Sequence, residues 1–162
     1  MKTALLPIVN QQSSILILGT MPGEESLRLQ QYYGNRGNQF WKLIFNVLNE
    51  QFSFDYTIRL KILHENHIAL WDVLAFCERE GSLDSKIKNE IPNDFRAFFS
   101  EYPNIKTVFF SSKNAAKLYD KYATRIKTIE YQILPSPSGA NASKSFLQKL
   151  EEWKVVNLFL KK

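Results

Sequence analysis

Cysteine is almost absent: Cys77 is the only one in 162 residues. A single thiol closes no intramolecular disulfide and anchors no cysteine cluster for zinc or iron–sulfur. Histidine is nearly as scarce, with His64 and His67 alone, so a histidine-based metal site is not expected either. No apolar run approaches the roughly 20 residues that a membrane span needs. No internal repeat, low-complexity tract or linker divides the chain. The amino-terminal MKTALLPIVNQQSS holds an apolar segment too short for a secretory signal. Together these absences predict one reduced, cytosolic, monomeric domain over 1–162, with no metal, no cofactor and no membrane contact.

What remains is an ordinary globular composition, 44% hydrophobic and 23% charged, in a chain long enough to bury a core. Twelve phenylalanines and seven tyrosines are a rich supply. Most are expected in the core, and a few are available as stacking surfaces. The formal charge of +5 and a pI near 9.3 favour an anionic partner, of which nucleic acid is the commonest.

The stretch ILILGTMPGEESLRLQQYYGNRGNQFW, residues 15–41, organises the rest. Its opening apolar run, Ile15 to Leu18, has the length and branching of a buried parallel strand. Gly19 stops the run, a polar loop carries Pro22 and Gly23, and Asn38 is placed to cap an amphipathic helix with Phe40, Leu43, Ile44, Val47 and Leu48 inward. A second helix is predicted from Asp55 to Asn66 with Ile58, Ile62 and Leu63 on one face. A second buried strand follows at Ile68–Leu74, and the segment CEREGSLDSKIKNEIP reads as polar and turn-rich. A short helix starts at Asn93 or Asp94, and a third strand covers Lys106–Phe110. Ser112 caps a helix reaching Tyr122, with Ala115, Ala116 and Leu118 inward. A fourth strand spans Thr128 to Leu134, and Ser143 caps a last helix. Strands alternating with helices predict βαβ units: an α/β/α sandwich with a mainly parallel four-stranded sheet. Ligands bind beyond the carboxyl ends of such strands. The loops there are therefore candidates for a site.

Two of those loops resemble the uracil-DNA glycosylase superfamily. The first is Gly19-Thr20-Met21-Pro22-Gly23, followed by Tyr32-Tyr33 and by Asn38-Gln39-Phe40-Trp41; the second is Leu134-Pro135-Ser136-Pro137-Ser138-Gly139. The branch most similar is the hypoxanthine (deoxyinosine) DNA glycosylases, with G-S-M-P-G, a tyrosine pair, N-x-F-W and a late PS-rich loop. The segment LWDVLAFCEREGSLDSKI also looks like that branch, so the resemblance spans most of the chain.

The resemblance implies roles. Tyr33 falls where the family places the aromatic that stacks on a flipped base, and Asn38 matches the motif asparagine used in catalysis or base contact. Met21 departs from the mismatch-specific enzymes, whose asparagine there orients water. Catalysis therefore rests elsewhere, with Asn38 foremost. Gly23 sits where bulk would exclude a 5-methyl group, and Asp72 is a candidate for the base edge. In plainer readings Tyr33 is a packed ring, Asn38 a helix cap, Gly23 a turn glycine, Asp72 a loop cap, and Glu24 and Glu25 are solvated acids. Where the branch reads Y-Y-A-H-P-R-N, this chain has Tyr32-Tyr33-Gly34-Asn35-Arg36-Gly37-Asn38, which leaves hypoxanthine and uracil both open.

The late loop is expected to bind DNA. Ser136, Ser138 and the backbone around Gly139 are expected to hold phosphate at a helix N-terminus, with Asn141, Lys144 and Arg36 nearby. Relatives with H-P-S-P place histidine at the Ser136 position to stabilise the departing base, a task serine performs less well. Lys161 and Lys162 read as a solvated tail. The expected activity is a monofunctional DNA glycosylase removing hypoxanthine or uracil, because no lysine stands in either motif to form a Schiff base. The rivals are a DNA-binding protein of the same fold without catalysis, and an enzyme of free nucleosides or nucleotides.

Overall fold

The computed structural model describes residues 1–160; the expected tail at Lys161 and Lys162 lies outside them. Four parallel strands form the central sheet: β2 (Ile15–Gly19), β3 (Ile68–Asp72), β6 (Thr107–Phe110) and β7 (Glu130–Ile133), in spatial order β3-β2-β6-β7. Side chains alternate across a strand, and the alternation separates two cores. Ile15, Ile17, Ile68, Leu70 and Phe109 face one, and Leu16, Leu18, Ala69, Val108 and Phe110 face the other. The first core is covered by α2 (Phe40–Val47), α3 (Tyr56–Glu65) and α6 (Phe146–Trp153). The second lies under α4 (Phe95–Glu101) and α5 (Lys113–Tyr122). The expected three-layer α/β/α sandwich is therefore observed. Each fully buried aliphatic side chain of β2 contributes about 1.5–3 kcal/mol by leaving water.

Several local expectations shift. The strand read as Ile68–Leu74 ends at Asp72. Val73 and Leu74 instead donate to the carbonyls of Gly19 and Thr20 at 2.8 and 3.1 Å, turning the chain out of the parallel sheet. It enters a second, antiparallel sheet of β1 (Lys2–Thr3), β4 (Leu74–Glu78) and β5 (Lys88–Pro92), in order β1-β4-β5. That hairpin occupies the segment read as polar turns. KNEIP exposes most of its residues, so no apolar alternation marks it as a strand. The polar loop after β2 contains a six-residue helix, α1 (Glu24–Leu29), whose one buried residue is Ser26. No apolar stripe announces it.

In α3 the inward face is Arg59, Ile62 and Leu63, and Ile58 is 44% exposed. Arg59 is only 8% exposed because its guanidinium lies over the Trp41 and Phe52 rings and donates to the Ser53 carbonyl at 2.8 Å. The last helix is capped by Ser145 rather than Ser143. Ser145 and Gln148 form a reciprocal capping box, while the Ser143 hydroxyl donates to Asn141 Oδ1 at 2.7 Å and stays in the loop. Asp94 and Ser112 cap α4 and α5 as expected. Among the described residues no helix is long and apolar enough to cross a membrane.

Candidate active site

Because all four central strands are parallel, their carboxyl ends share one edge, and a cleft of ≈ 1040 Å³ opens beyond it. Ten of the predicted site residues line it: Met21, Gly23, Tyr33, Asn38, Asp72, Ser136, Ser138, Gly139, Asn141 and Lys144; Arg36 does not, although its neighbours Asn35 and Gly37 do. Their surroundings separate their possible uses.

The two tyrosines divide their labour. Tyr32 is buried, donates its hydroxyl to the Leu6 carbonyl at 2.8 Å and accepts the Trp41 indole N–H on its own carbonyl at 2.9 Å. It anchors the loop. Tyr33 reaches into the cleft with its ring stacked on Phe40, centroids 3.9 Å apart and planes 17° from parallel. Its φ is +51°, a left-handed conformation that costs a tyrosine of order 1–3 kcal/mol. The Tyr56 hydroxyl on the Tyr32 N–H (3.0 Å) and Ser26 Oγ on the Gly34 N–H (2.9 Å) brace that turn from both sides. Burial pushes the Tyr33 hydroxyl above the ordinary phenol range, the Asp72 carboxyl beside it adds to this, and a hydrogen bond with Ser111 opposes it.

The N-cap of α2 is Gln39 rather than the expected Asn38, which stands one residue before it, and Gln39 caps nothing with its side chain. Asn38 Oδ1 instead accepts the Phe40 N–H at 2.9 Å. That bond identifies the amide oxygen and leaves the NH2 group with no protein hydrogen bond among the described residues. Cap and free donor thus coexist in one side chain. Asn35 Oδ1 accepts the Gly37 N–H at 2.7 Å, an Asx turn that shapes the loop. Beside it, the Arg36 guanidinium lies 5.0 Å above the ring of Phe54, which is 63% exposed.

Asp72 ends β3 and is 5% exposed. It does not cap the next loop; its backbone carbonyl, not its side chain, accepts from Asn93 Nδ2. Its Oδ2 is buried without a hydrogen-bond partner. Burial, reinforced by Asp84 and partly offset by Arg79, raises the carboxyl to about 7. Gly19 makes room for it, since a Cβ there would stand 2.6 Å from Asp72 Oδ1 and 3.3 Å from the Tyr33 hydroxyl. Gly23 has an extended backbone as N-cap of α1, and its missing side chain leaves space for Ser82 rather than relieving strain. Met21 is buried and shared between the cleft wall and the second core.

The late loop corrects one expectation. α6 begins at Phe146, with its N-terminus closed by Ser145 and Gln148, so Ser136, Ser138 and Gly139 do not sit at a helix N-terminus. The loop is stitched by its own groups instead. Ser136 Oγ accepts from Ser138 N and Ser138 Oγ from Ala140 N, both at 3.2 Å, while Asn141 Nδ2 donates to the Ser136 carbonyl. Both hydroxyl hydrogens stay free of these bonds. A Cβ on Gly139 would lie 2.7 Å from the Gly37 carbonyl oxygen, so the two loops meet backbone to backbone. Lys144 is ion-paired with Glu152 at the exposed edge of the cleft, a contact weak enough to exchange for another anion.

Sequence reasoning missed six participants. Thr20, Asp84, Ser111 and Asn114 also line the cleft. Burial raises the Asp84 carboxyl, against Thr20, Arg79 and Asn114. The buried Arg79 donates to the Pro22 carbonyl and lies 3.9 Å from Asp84, with Nε and Nη1 lacking hydrogen bonds. Thr20 belongs to the glycine loop, Arg79 and Asp84 to the segment that resembles the family, and Ser111 and Asn114 to the start of α5, and only the fold gathers them. Lys149 did carry a signal: a lysine among Phe146, Leu150 and Trp153 stands on the apolar face of α6. No group of three His, Cys, Asp or Glu side chains that could hold a metal ion occurs among the described residues.

Comparison with known proteins agrees with the geometry. The family model of the uracil DNA glycosylase superfamily matches residues 6–160. The chain is 40% identical over 143 residues to a hypoxanthine DNA glycosylase of Methanosarcina barkeri (strain Fusaro / DSM 804), covering 86% of this chain and 88% of the relative. It is 39% identical over 153 residues to the hypoxanthine DNA glycosylase of Methanosarcina acetivorans, covering 92% and 93%. A Methanosarcina acetivorans chain solved by NMR in solution, provisionally named a uracil DNA glycosylase, superposes with a TM-score of 0.83 at 39% identity over 96% of this chain and 95% of its own. A match over nearly the whole chain, with relatives about 40% identical, shows that the chain belongs to the uracil DNA glycosylase superfamily.

Proposed function

We propose that this chain is a monofunctional DNA glycosylase that hydrolyses the N-glycosidic bond of a deaminated base, hypoxanthine or uracil, and leaves an abasic site for base excision repair. The observation that carries this reading is the convergence of Tyr33 and Asn38, from the loop between α1 and α2, with Asp72 at the end of β3, in one cleft at the carboxyl edge of the sheet. A base in duplex DNA reaches such a cleft only by leaving the stack. Tyr33, fixed by Phe40, supplies the stacking surface for it. Bond cleavage leaves positive charge on the sugar and negative charge on the base, so positioned donors there lower the barrier. The Asn38 NH2 group is such a donor, and it can equally hold the attacking water.

Lys149 supports hydrolysis over a Schiff base. The lysine is 1% exposed and its Nζ is engaged by Gln39 Oε1 at 2.8 Å and the Ser138 carbonyl at 3.3 Å. The Ser136 and Ser138 hydroxyls and Asn141 on the cleft wall are available to backbone phosphates, with Arg36 next to the cleft-lining Asn35 and Gly37. DNA as the anionic partner accords with the charge of +5. Duplexes carrying one deoxyuridine or one deoxyinosine, treated with protein and then alkali, give strand scission at the damaged position. Intact strands from both substrates, in duplex and single-stranded form, would overturn the reading. Release of base from free deoxyinosine but not from DNA would assign the cleft to a nucleoside hydrolase.

A further inference from the structure

A base that leaves the duplex opens a gap in the stack, and the base returns to it unless something apolar takes its place. Such a wedge must be large, apolar, exposed at the mouth of the cleft and held on a rigid support. Among the described residues, two exposed large hydrophobic side chains line the cleft, Leu83 and Ile133. Ile133 closes the edge strand β7, in register with Phe110 of β6, so its backbone is tied into the sheet. Leu83 stands in the turn between β4 and β5 and is 57% exposed. The late loop offers Ala140, which is too short, and Asn141, whose amide is spent on the Ser136 carbonyl.

We propose that Leu83 is the wedge that enters the base stack at the position vacated by the target nucleotide. The inference rests on the glycosylase reading and deepens it by naming the residue that keeps the duplex open.

The turn carrying Leu83 is braced at nearly every residue. Lys2 Nζ donates to the Gly81 carbonyl at 3.2 Å, and Ser82 Oγ accepts the Glu24 N–H at 2.9 Å. The Leu83 carbonyl accepts the Lys86 N–H at 3.0 Å, and Asp84 lies 3.9 Å from the buried Arg79. Gly81 takes a φ of +73°, which lets the chain reverse into this turn. The backbone is thus fixed by β1, α1 and the hairpin itself, while the leucine side chain stays uncovered. An apolar side chain held rigidly in water gains nothing in the free protein. Between two bases it buries that surface, and the rigid turn means that little entropy is lost on insertion.

Single-turnover excision of the target base from duplex and from single-stranded DNA tests this. Leu83→Ala is expected to lose about tenfold or more on the duplex, the scale of the apolar burial that truncation removes. On single-stranded DNA the change is expected to stay below about twofold, because no stack closes over the vacancy there. Leu83→Met, which keeps the apolar bulk, should recover the duplex rate. A polycyclic aromatic nucleotide opposite the target fills the gap from the other strand and should restore Leu83→Ala. Ile133→Ala should leave the ratio of the two rates as in the wild type. Equal losses on both substrates, no loss on the duplex, or no rescue by the aromatic nucleotide each overturn the wedge and leave the glycosylase reading intact. For a wild type that acts on duplex DNA only, the rescue alone decides. Should Leu83→Ala fail to fold, Leu83→Glu decides by the same ratio, since a carboxylate is tolerated at an exposed turn and expelled from a base stack. Absence of wild-type excision from every substrate defeats the glycosylase reading, and the wedge with it.

Discussion

Lys149 Nζ donates to Gln39 Oε1 at 2.8 Å, joining two residues separated by 110 positions in sequence. The same ammonium reaches the Ser138 carbonyl at 3.3 Å. Burial lowers the affinity of this amine for its proton, and it is buried nonetheless. It ties α6 to the start of α2 and to the late loop, between the residue after Asn38 and the serines of the rim. Lys149→Met removes the donor and leaves the half-buried Gln39 Oε1 without it, while the Ser138 carbonyl keeps the Asn141 N–H at 3.0 Å. The expected cost is about 1–3 kcal/mol, read as a lower midpoint of urea unfolding. Excision should fall further than stability alone explains, because Ser138 and Gln39 lose their common anchor.

Gly139 and Gly37 test the loop contact separately. In Gly139→Ala the new Cβ meets the Gly37 carbonyl at 2.7 Å, and neither partner is a flexible side-chain end. The two loops must separate, while the cores of the sandwich stay untouched. The expected outcome is at least a tenfold loss of excision with unfolding free energy changed by less than about 1 kcal/mol, as for a surface site. Parallel loss of both would place the contact in the folding core.

Asn38→Ala is expected to slow single-turnover excision by about 10²-fold or more, the scale for losing one donor to a developing anion. It also removes a cap on the Phe40 N–H, for which about 1 kcal/mol of stability is expected. Asn38→Asp keeps the accepting oxygen and loses the NH2 group. It should recover the stability and not the rate. Full activity in either variant would remove Asn38 from the chemistry.

Tyr33→Phe keeps the stack on Phe40 and loses the hydroxyl beside Asp72 and Ser111, so excision should fall severalfold at most. Tyr33→Ala removes the stacking surface, worth about 1–3 kcal/mol for an aromatic on a base, and is expected to cost tenfold or more. Equal rates for the two variants would show that the ring serves the core only.

Asp72 also predicts how stability depends on pH. Its folded value of about 7 lies above the 3.8 of an unperturbed aspartate, so the folded protein binds more protons between those values. Stability from this group is therefore full below pH 4 and is lost as pH rises toward and through 7. The upper bound is about 4 kcal/mol, from about three pH units at 1.36 kcal/mol each. Asp84 acts in the same direction. Urea unfolding of Asp72→Asn against wild type, at pH 5 and pH 8, should show the variant gaining relative stability at the higher pH.

Periodicity carried most of the architecture because burial imposes it. Ile15–Leu18 is buried on both faces, and such a run has few alternatives to a central strand. Helices announced by a capping residue and an apolar stripe, such as α5 behind Ser112, were readable for the same reason. The elements that escaped were those with no buried face to betray them: α1 with Ser26 alone inside, and the β4–β5 hairpin, whose second strand is largely exposed. Ile58 and Arg59 exchanged places because a guanidinium sandwiched by Trp41 and Phe52 is less polar in effect than its composition suggests.

The sequence by itself determined the α/β/α sandwich, the family, and the roster of Tyr33, Asn38, Asp72 and the late serines, because each belongs to a local pattern or a motif. Only the tertiary structure decided what surrounds them. The unpaired Oδ2 of Asp72, the opposing Gly19, the Asp84–Arg79 pair and the Lys149 anchor all depend on segments distant along the chain. Dielectric, charge and hydrogen-bond satisfaction are properties of a neighbourhood, and a neighbourhood exists only once parallel strands bring their ends to one edge.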